Sequence, residues 1–499
     1  MRCRTLVIIL ACAVSFSARV RAANPNPCTP PNFPTPQFKS QSFNVRDFGA
    51  TGNGRDNDTA AINRAIEKCS ASSGGDVVFP KGTYLAASIH LQSNVRLMID
   101  KDAVITGAGS GYDPPEPNTF EKYQDFGHSH FHNALMWGEK IENLAIVGGR
   151  INGGGIIEGD EPGGRDVGDK VIAIKSGRNL LFDGITHETG GHFVYLLNDC
   201  EQVTFANILI KKTRDAVNLV SCRNVQMQDC NFTGCGDDSL ALKSDYTLGR
   251  KIESANIYIW NCYFESAANA LQFGAESVGN FRNINFWNVR IGRAWKAGIG
   301  MRSADGAIID GITYRDISMK QVDTPISITV GHRLLSGEAN RKVGAIKNVR
   351  ISNLSVLDPR PRVAGLIRPS LIAGLPESPV ENVFLEHVRI VGTGGAKLTQ
   401  SSPDDESVRR REAALSAAGL FIKHARNLRM QDVDLTYETG DPRPSLIAHK
   451  VVGLTLEDVK LQRFAGVPLL RLKKIDQLQM ARCPGLPDQT IERVDAAEK

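Results

Sequence analysis

Short stretches in which apolar and polar residues alternate strictly recur along this chain. The clearest open on a polar residue and an asparagine: Glu142-Asn143-Leu144-Ala145-Ile146, Arg178-Asn179-Leu180-Leu181-Phe182, Arg223-Asn224-Val225-Gln226-Met227 and Ala255-Asn256-Ile257-Tyr258-Ile259. The phrase returns at Arg282-Asn283, Lys347-Asn348, Glu381-Asn382 and Arg426-Asn427, with degenerate copies near Val203, Ile308, Leu454 and Leu478. Period two is a strand signal, whereas a helix would need apolar residues at i, i+3, i+4 and i+7. The copies recur every 22 to 35 residues or so, the range of solenoid coils. Each unit carries strands too short to close a core alone, and stacking buries a continuous one. The pattern therefore predicts an all-β fold, a parallel β-helix, with the asparagines turning the chain or stacking as internal amide ladders. A β-propeller is the second choice, because its repeats are longer and lack this phrase.

The N-terminal part of the ordered sequence departs from the rhythm. Asp58 or Thr59 can cap a helix from Ala60 to about Cys69, whose apolar face is Ala61, Ile62, Ala65 and Ile66. Strands are expected at Val77-Val78-Phe79 and Tyr84-Leu85. This block reads as the cap that protects the open end of a solenoid. Two breaks, Pro359 to Pro379 and Gly392 to Ala418, read as surface loops. The domain plan is a signal peptide at 1–23, a proline-rich linker at 24–41, the β-helix at 42–483 and a polar, frayed tail at 484–499.

Composition narrows the setting. Arg2 and Arg4 followed by the apolar run Leu6 to Val14 and small residues through Ala23 predict export, to a periplasm or outside the cell. A lipid-modified Cys12 is a weaker option, since Leu10 is bulky for that processing site. No run is long enough for a membrane anchor, and a monomer is expected. The net charge of +5 on 499 residues argues against a dedicated nucleic-acid binder and is compatible with an acidic polymer as substrate. Beyond the signal lie Cys28, Cys69, Cys200, Cys222, Cys230, Cys235, Cys262 and Cys483. Cys200 and Cys222 sit about one coil apart and could stack or bridge; buried thiols inside the coil are an equal alternative.

The chemistry concentrates at Cys235-Gly236-Asp237-Asp238-Ser239-Leu240-Ala241-Leu242-Lys243, where two carboxylates stand at a strand entrance and can point into solvent. Paired carboxylates are what acid/base cleavage of a sugar linkage needs. Stacked coils bring equivalent positions to about 4.8 Å from one another. Asp215 lies one coil earlier; Asn269, Gln272 and Glu276 lie one coil later; Lys296 and Arg302 follow on the next. If register holds, Asp215, Asp237, Asp238, Asn269 or Gln272, Glu276 and Arg302 form one outer stripe, a groove for an extended polymer, with Lys243 and Lys296 as further substrate-binding candidates. His128-Ser129-His130-Phe131-His132 could hold a metal, but no acidic or cysteine partner follows at ligand spacing, so it reads as loop or groove wall. Asn231-Phe232-Thr233 and Asn353-Leu354-Ser355 match glycosylation acceptors, a pattern frequent by chance.

The entry from Phe43 to Ile66, the repeated Asn-apolar phrase, Gly236-Asp237-Asp238 and Gly298 to Arg302 resemble glycoside hydrolase family 28, the polygalacturonase-like enzymes, over roughly Ser42 to Val330. The resemblance implies a right-handed β-helix and inverting hydrolysis of α-linked galacturonan or pectin-type polysaccharide, with no metal or cofactor. It gives Asp237 the general acid's role and gives Asp215 and Asp238 the activation of water; acid and base of an inverting pair stand roughly 6.5–9.5 Å apart. The crowding of three carboxylates is expected to raise the pKa of at least one. This chain departs from the family pattern in having Thr213-Arg214 before its Asp, Asn218 for the motif's second Asp, Ala268-Asn269-Ala270 for Gly-His-Gly, and Gly300-Met301-Arg302 for Arg-x-Lys. Arg302 retains a fork that suits a carboxylate. Two alternatives stand beside hydrolysis. One is a lyase or epimerase using Ca²⁺ and a basic residue such as Lys243, Lys296 or Arg302. The other is a catalytically silent glycan-binding β-helix.

Overall fold

The computed structural model describes residues 30–31, 33–124, 126–153, 170–358, 368–396 and 414–499. Residues 1–23, expected above to be a signal segment, Cys28, most of the stretch before Phe33, and parts of both breaks (359–367 and 397–413) lie outside the described residues.

The alternating phrases are strands, and the strands pair in parallel with their copies one coil on. Arg178–Asp183, Glu201–Ala206, Arg223–Gln228 and Ser254–Trp260 stack in turn, and the stack continues through Phe281–Ser303, Ile308–Lys320, Ala345–Leu357 and Val380–Gly392. The fold is a parallel β-helix. Alternation sends every second side chain inward, so the interior is built of columns. Leu180, Val203, Val225, Ile257 and Ile284 form one. Phe182, Phe205, Met227, Ile259 and Phe286 form the next, and both are fully or almost fully buried. Phe182 and Phe205 stack with centroids 5.1 Å apart, as do Phe286 and Tyr314 at 4.6 Å.

The recurrent asparagine has a backbone reason. Asn179, Asn224, Asn256, Asn283, Asn348, Asn382 and Asn427 all adopt φ between 53° and 56°, the left-handed region that asparagine tolerates better than other residues bearing a Cβ. Where the phrase is degenerate, Gln202, Gly311, Gly453 and Gln477 keep the same left-handed corner. The amides also form ladders, Asn256 to Asn224, Asn283 to Asn256 and Asn427 to Asn382. These ladders run along the outer, half-exposed corner rather than inside the coil, because the left-handed turn throws the side chain outward.

The cap helix spans Thr59–Ala71, with Ala61, Ile62, Ala65, Ile66 and Cys69 buried. Asp58 is its N-cap residue but makes no side-chain cap bond; its carboxylate accepts from the backbone of Thr51 and Gly52, tying the preceding turn. Two expectations are corrected. The C-terminal segment is not frayed: Gln489–Glu498 pairs antiparallel with Leu470–Ala481, covering the last coil's edge. Within the proline-rich break, Ser370–Ala373 is a buried strand paired with neighbours on both sides. Cys69, Cys200, Cys222, Cys230, Cys235, Cys262 and Cys483 are free and buried, so Cys200 and Cys222 stack as thiols. Among the described residues no helix is long and apolar enough to cross a membrane.

Candidate active site

One face of the β-helix carries the acidic motifs. Strand Asp215–Val220 pairs with Leu240–Ser244, that with Leu271–Ser277, and that with the distal part of Phe281–Ser303. Val217 lies level with Leu240, so two residues upstream Asp215 lies level with Asp238, and the amide of Ala216 donates to the Asp238 carbonyl at 3.1 Å. By the same register Asn269 follows Asp238. Arg214, Asp237 and Lys296 form a parallel column beside them: the Asp237 amide donates to the Arg214 carbonyl at 2.9 Å. Ser266 Oγ donates to the Asp237 carbonyl, fixing the turn from the other side.

The result is a trench of about 310 Å³ lined by Asp215, Asp237, Asp238, Lys243, Asn269, Gln272, Glu276, Lys296 and Arg302. All nine residues singled out in the sequence are thus brought together. Their exposure differs from expectation. Asp215 and Asp238 are only 2% and 9% exposed and form the trench floor rather than pointing into solvent, because neighbouring coils and the side chains of Arg214, Asn218 and Asn269 cover them. Asp237 stands higher, at 30% side-chain exposure.

The three carboxylates have unlike partners. Asp237 is held by Arg214 Nη2 at 3.1 Å and by Lys296 Nζ at 3.4 Å. Asp215 meets Arg214 Nη1 at 3.3 Å and accepts from Asn218 Nδ2 at 3.0 Å. Asp238 accepts from Asn269, through Nδ2 at 2.8 Å and the backbone amide at 3.3 Å. Burial, reinforced by the charges of Asp215 and Asp237, pushes the Asp238 carboxyl up to about 7, against the pull of Lys243 and Asn269. Burial likewise raises Asp215, with Lys243 and Arg214 opposing. Like charges crowded in a low-dielectric site disfavour joint ionisation of the buried pair, Asp215 and Asp238.

Lys243 is 6% exposed; its ammonium reaches Glu276 at 3.2 Å and the His128 ring at 2.8 Å. It therefore braces the floor, and Glu276 is further tied to Arg333 at 3.5 Å. Gln272 donates to the Phe273 carbonyl at 2.7 Å. Gly300 belongs beside it, since a Cβ there would stand 2.2 Å from Gln272 Oε1. Arg302 is exposed and has no ion-pair partner among the described residues.

Three further residues belong to the site, of which the sequence reading had placed only His128, as loop or groove wall. Arg214 was legible only as a departure from a motif, yet it bridges Asp215 and Asp237 and meets His192 at 2.8 Å. Asn218 likewise was a departure from a motif; His128 lines the trench as the groove-wall reading has it, but its bond to Lys243, 115 residues away, has no local signal in the sequence. His132 does meet carboxylates, contrary to the ligand-spacing argument: Glu139 at 3.0 Å, with Glu116 nearby. The fold supplies these partners, but the Lys175 ammonium is bonded to both acids.

The comparisons agree with this architecture. Residues 42–134 match a family described as rhamnogalacturonase A/epimerase, pectate lyase-like. An Arabidopsis thaliana protein named "Probable polygalacturonase" is 23% identical over 322 residues, 58% of this chain and 61% of the relative. Among solved structures, the family 28 exopolygalacturonase of Yersinia enterocolitica superposes with a TM-score of 0.60 at 15% identity, over 89% of this chain and 78% of that one. The chain shares the β-helix fold of the polygalacturonases and is similar to them in sequence at low identity. The chain also matches the plasmin and fibronectin-binding protein A of Streptococcus pneumoniae, at 24% identity over 55% of this chain and 39% of the relative. It thus spans about three-fifths or less of the length of these two curated relatives.

Proposed function

We propose that this protein is an exported hydrolase of α-linked acidic polysaccharide of the galacturonan or pectin type, acting by inverting acid/base catalysis. The observation that carries the reading is the trench itself: three carboxylates from two adjacent coils, differing in burial and partners, among cations that suit an anionic polymer. Asp215, Asp237, Asp238 and Glu276 face Arg214, Lys243, Lys296 and Arg302. With a proton on one carboxyl the balance is positive, which favours a polyanion.

The cations divide the work. Asp237, the most exposed of the three and paired with Arg214 and Lys296, is the base that activates water; the buried Asp238 keeps its proton toward neutral pH and donates it to the leaving oxygen. This reverses the two neighbours relative to the roles the resemblance implies, and its physical cause is Arg214, which the family pattern lacks. Lys243 braced by Glu276 and His128 holds the floor, and Arg302 grips a substrate carboxylate with its planar fork.

The test is product chemistry on polygalacturonate. New reducing ends without ultraviolet-absorbing unsaturated ends support hydrolysis. Unsaturated ends abolished by a chelator indicate a lyase, and affinity without turnover indicates a binder. Single variants separate the roles: Asp238→Asn should abolish the alkaline limb of the pH profile along with most activity on the polymer, yet spare an aryl glycoside whose leaving group needs no proton. Asp237→Asn should lose both substrates. The opposite pattern restores Asp237 as the acid. Export is tested by sequencing the N-terminus of the mature protein, which should begin between Arg19 and Asn24.

A further inference from the structure

We propose that the trench is blind at one end and that the protein removes one or two sugar units at a time from a chain terminus, an inference that rests on the hydrolase reading above. The wall is the 108–133 connection, which leaves one strand at Gly107 and re-enters the stack at Ala134. Instead of turning tightly it crosses the outer face of the coils that precede Asp215 and reaches the far ends of the acid-bearing strands at Val220 and Lys243.

The crossing is packed. Phe131 joins Ala134, Ala173, Phe193, Leu196 and Val220 in a separate buried cluster on the outside of the coil. Phe193, Leu196 and Val220 are outward positions of the trench-bearing face, and all are completely buried. His128 lies 4.8 Å from the Phe193 ring and bonds Lys243. Further along, Phe120 and Tyr123 meet the Tyr246 ring edge-on at 5.7 and 5.4 Å, and Asn118 Nδ2 donates to the Thr247 carbonyl at 3.2 Å. The connection is thus fastened to the coil before the strand Leu240–Ser244, to that strand's Lys243 and to the turn that follows it. A polysaccharide could pass only by displacing buried aromatic surface, at a cost of several kcal/mol if even two such rings were uncovered.

The position of the wall sets the product. Phe193 is level with Asp215 on the preceding coil, so the covered face begins one coil before Asp215 and two before Asp238. In the other direction the trench runs on through Gln272 and Gly300 to Ser327 and Thr329. From Asn218 to Ser327 the register makes four coil steps, about 19 Å at 4.8 Å per step. A coil step is comparable with the length of one sugar unit. The acids therefore leave room for one or two units on the walled side and several on the other.

The experiment follows wild-type protein on polygalacturonate, measuring reducing ends, viscosity and product size from the first per cent of conversion. Reducing ends that appear as monomer and dimer while viscosity barely falls support the blind trench. Reducing ends with a ladder of oligomers and an early viscosity collapse overturn it while leaving hydrolysis intact; no reducing ends at all overturn both. A second arm needs no turnover: Asp237→Asn is titrated with galacturonate oligomers bearing a bulky fluorophore at one terminus or the other. One label position should weaken binding at least tenfold relative to the other, and equal affinity for the two labelled forms contradicts the wall.

Discussion

Replacing Asp238 by Asn should make the protein more stable at pH 8 than the native chain and leave the two alike at pH 4. In the unfolded chain this carboxyl titrates near 3.9; in the folded state it is pushed up to about 7 by burial and by its acidic neighbours. Below pH 4 both states carry the proton, and the group contributes no difference. Between 4 and 7 the unfolded state has released the proton while the folded state still binds it, so stability falls as pH rises. Above 7 both are ionised and the full penalty is in place. About 3 units at 1.36 kcal/mol each give at most about 4 kcal/mol. With an unfolding entropy near 2.1 cal/mol/K per residue, a chain of this length converts that into a Tm shift of about 2–4 °C. Asparagine keeps an oxygen for the Asn269 amide and titrates nowhere. Any constant effect of the substitution cancels when the Tm difference at pH 8 is compared with that at pH 4. Thermal unfolding of both proteins at the two pH values is the assay. An equal difference at both, or a variant that is less stable at pH 8 relative to pH 4, refutes the raised carboxyl.

Arg302→Ala should raise KM on polygalacturonate about tenfold, the loss of one charge-assisted pair, with Tm unchanged because no ion-pair partner is lost among the described residues; steady-state kinetics and a melting curve decide it. Gly300→Ala drives a methyl against Gln272 Oε1 and breaks the Gln272–Phe273 bond, at about 1–3 kcal/mol, read as a lower denaturant midpoint with reduced turnover. Phe205→Ala removes a fully buried ring stacked on Phe182 and should cost about 3–5 kcal/mol without altering the pH profile of the remaining folded enzyme.

The solenoid was legible because its two determinants are local. Alternation marks the strands, and an asparagine marks a corner whose φ near 55° few other residues accept. The acidic trio was legible for a related reason: Asp215 and Asp238 are separated by one coil, so sequence spacing becomes spatial adjacency. What escaped is non-local or depends on depth. His128 reaches Lys243 across 115 residues because a connection crosses four coils on the outside, and no periodicity records such a crossing. The burial of Asp238 is decided by Asn269 on the next coil and by the neighbouring acids, not by its own strand entrance. The polar composition of Gln489–Glu498 suggested fraying, but an edge strand pairing on one side with solvent on the other needs no apolar alternation.

The central claim is that coil winding gathers Asp215, Asp237 and Asp238 into one hydrolytic centre. Reducing ends released from polygalacturonate by the native protein, compared with Asp215→Asn, Asp237→Asn and Asp238→Asn at matched Tm, test it most directly. The account predicts saturated products from the native chain and a loss of at least a hundredfold for each variant. Native-like rates from any one of the three folded variants, or unsaturated products from the native chain, would contradict it.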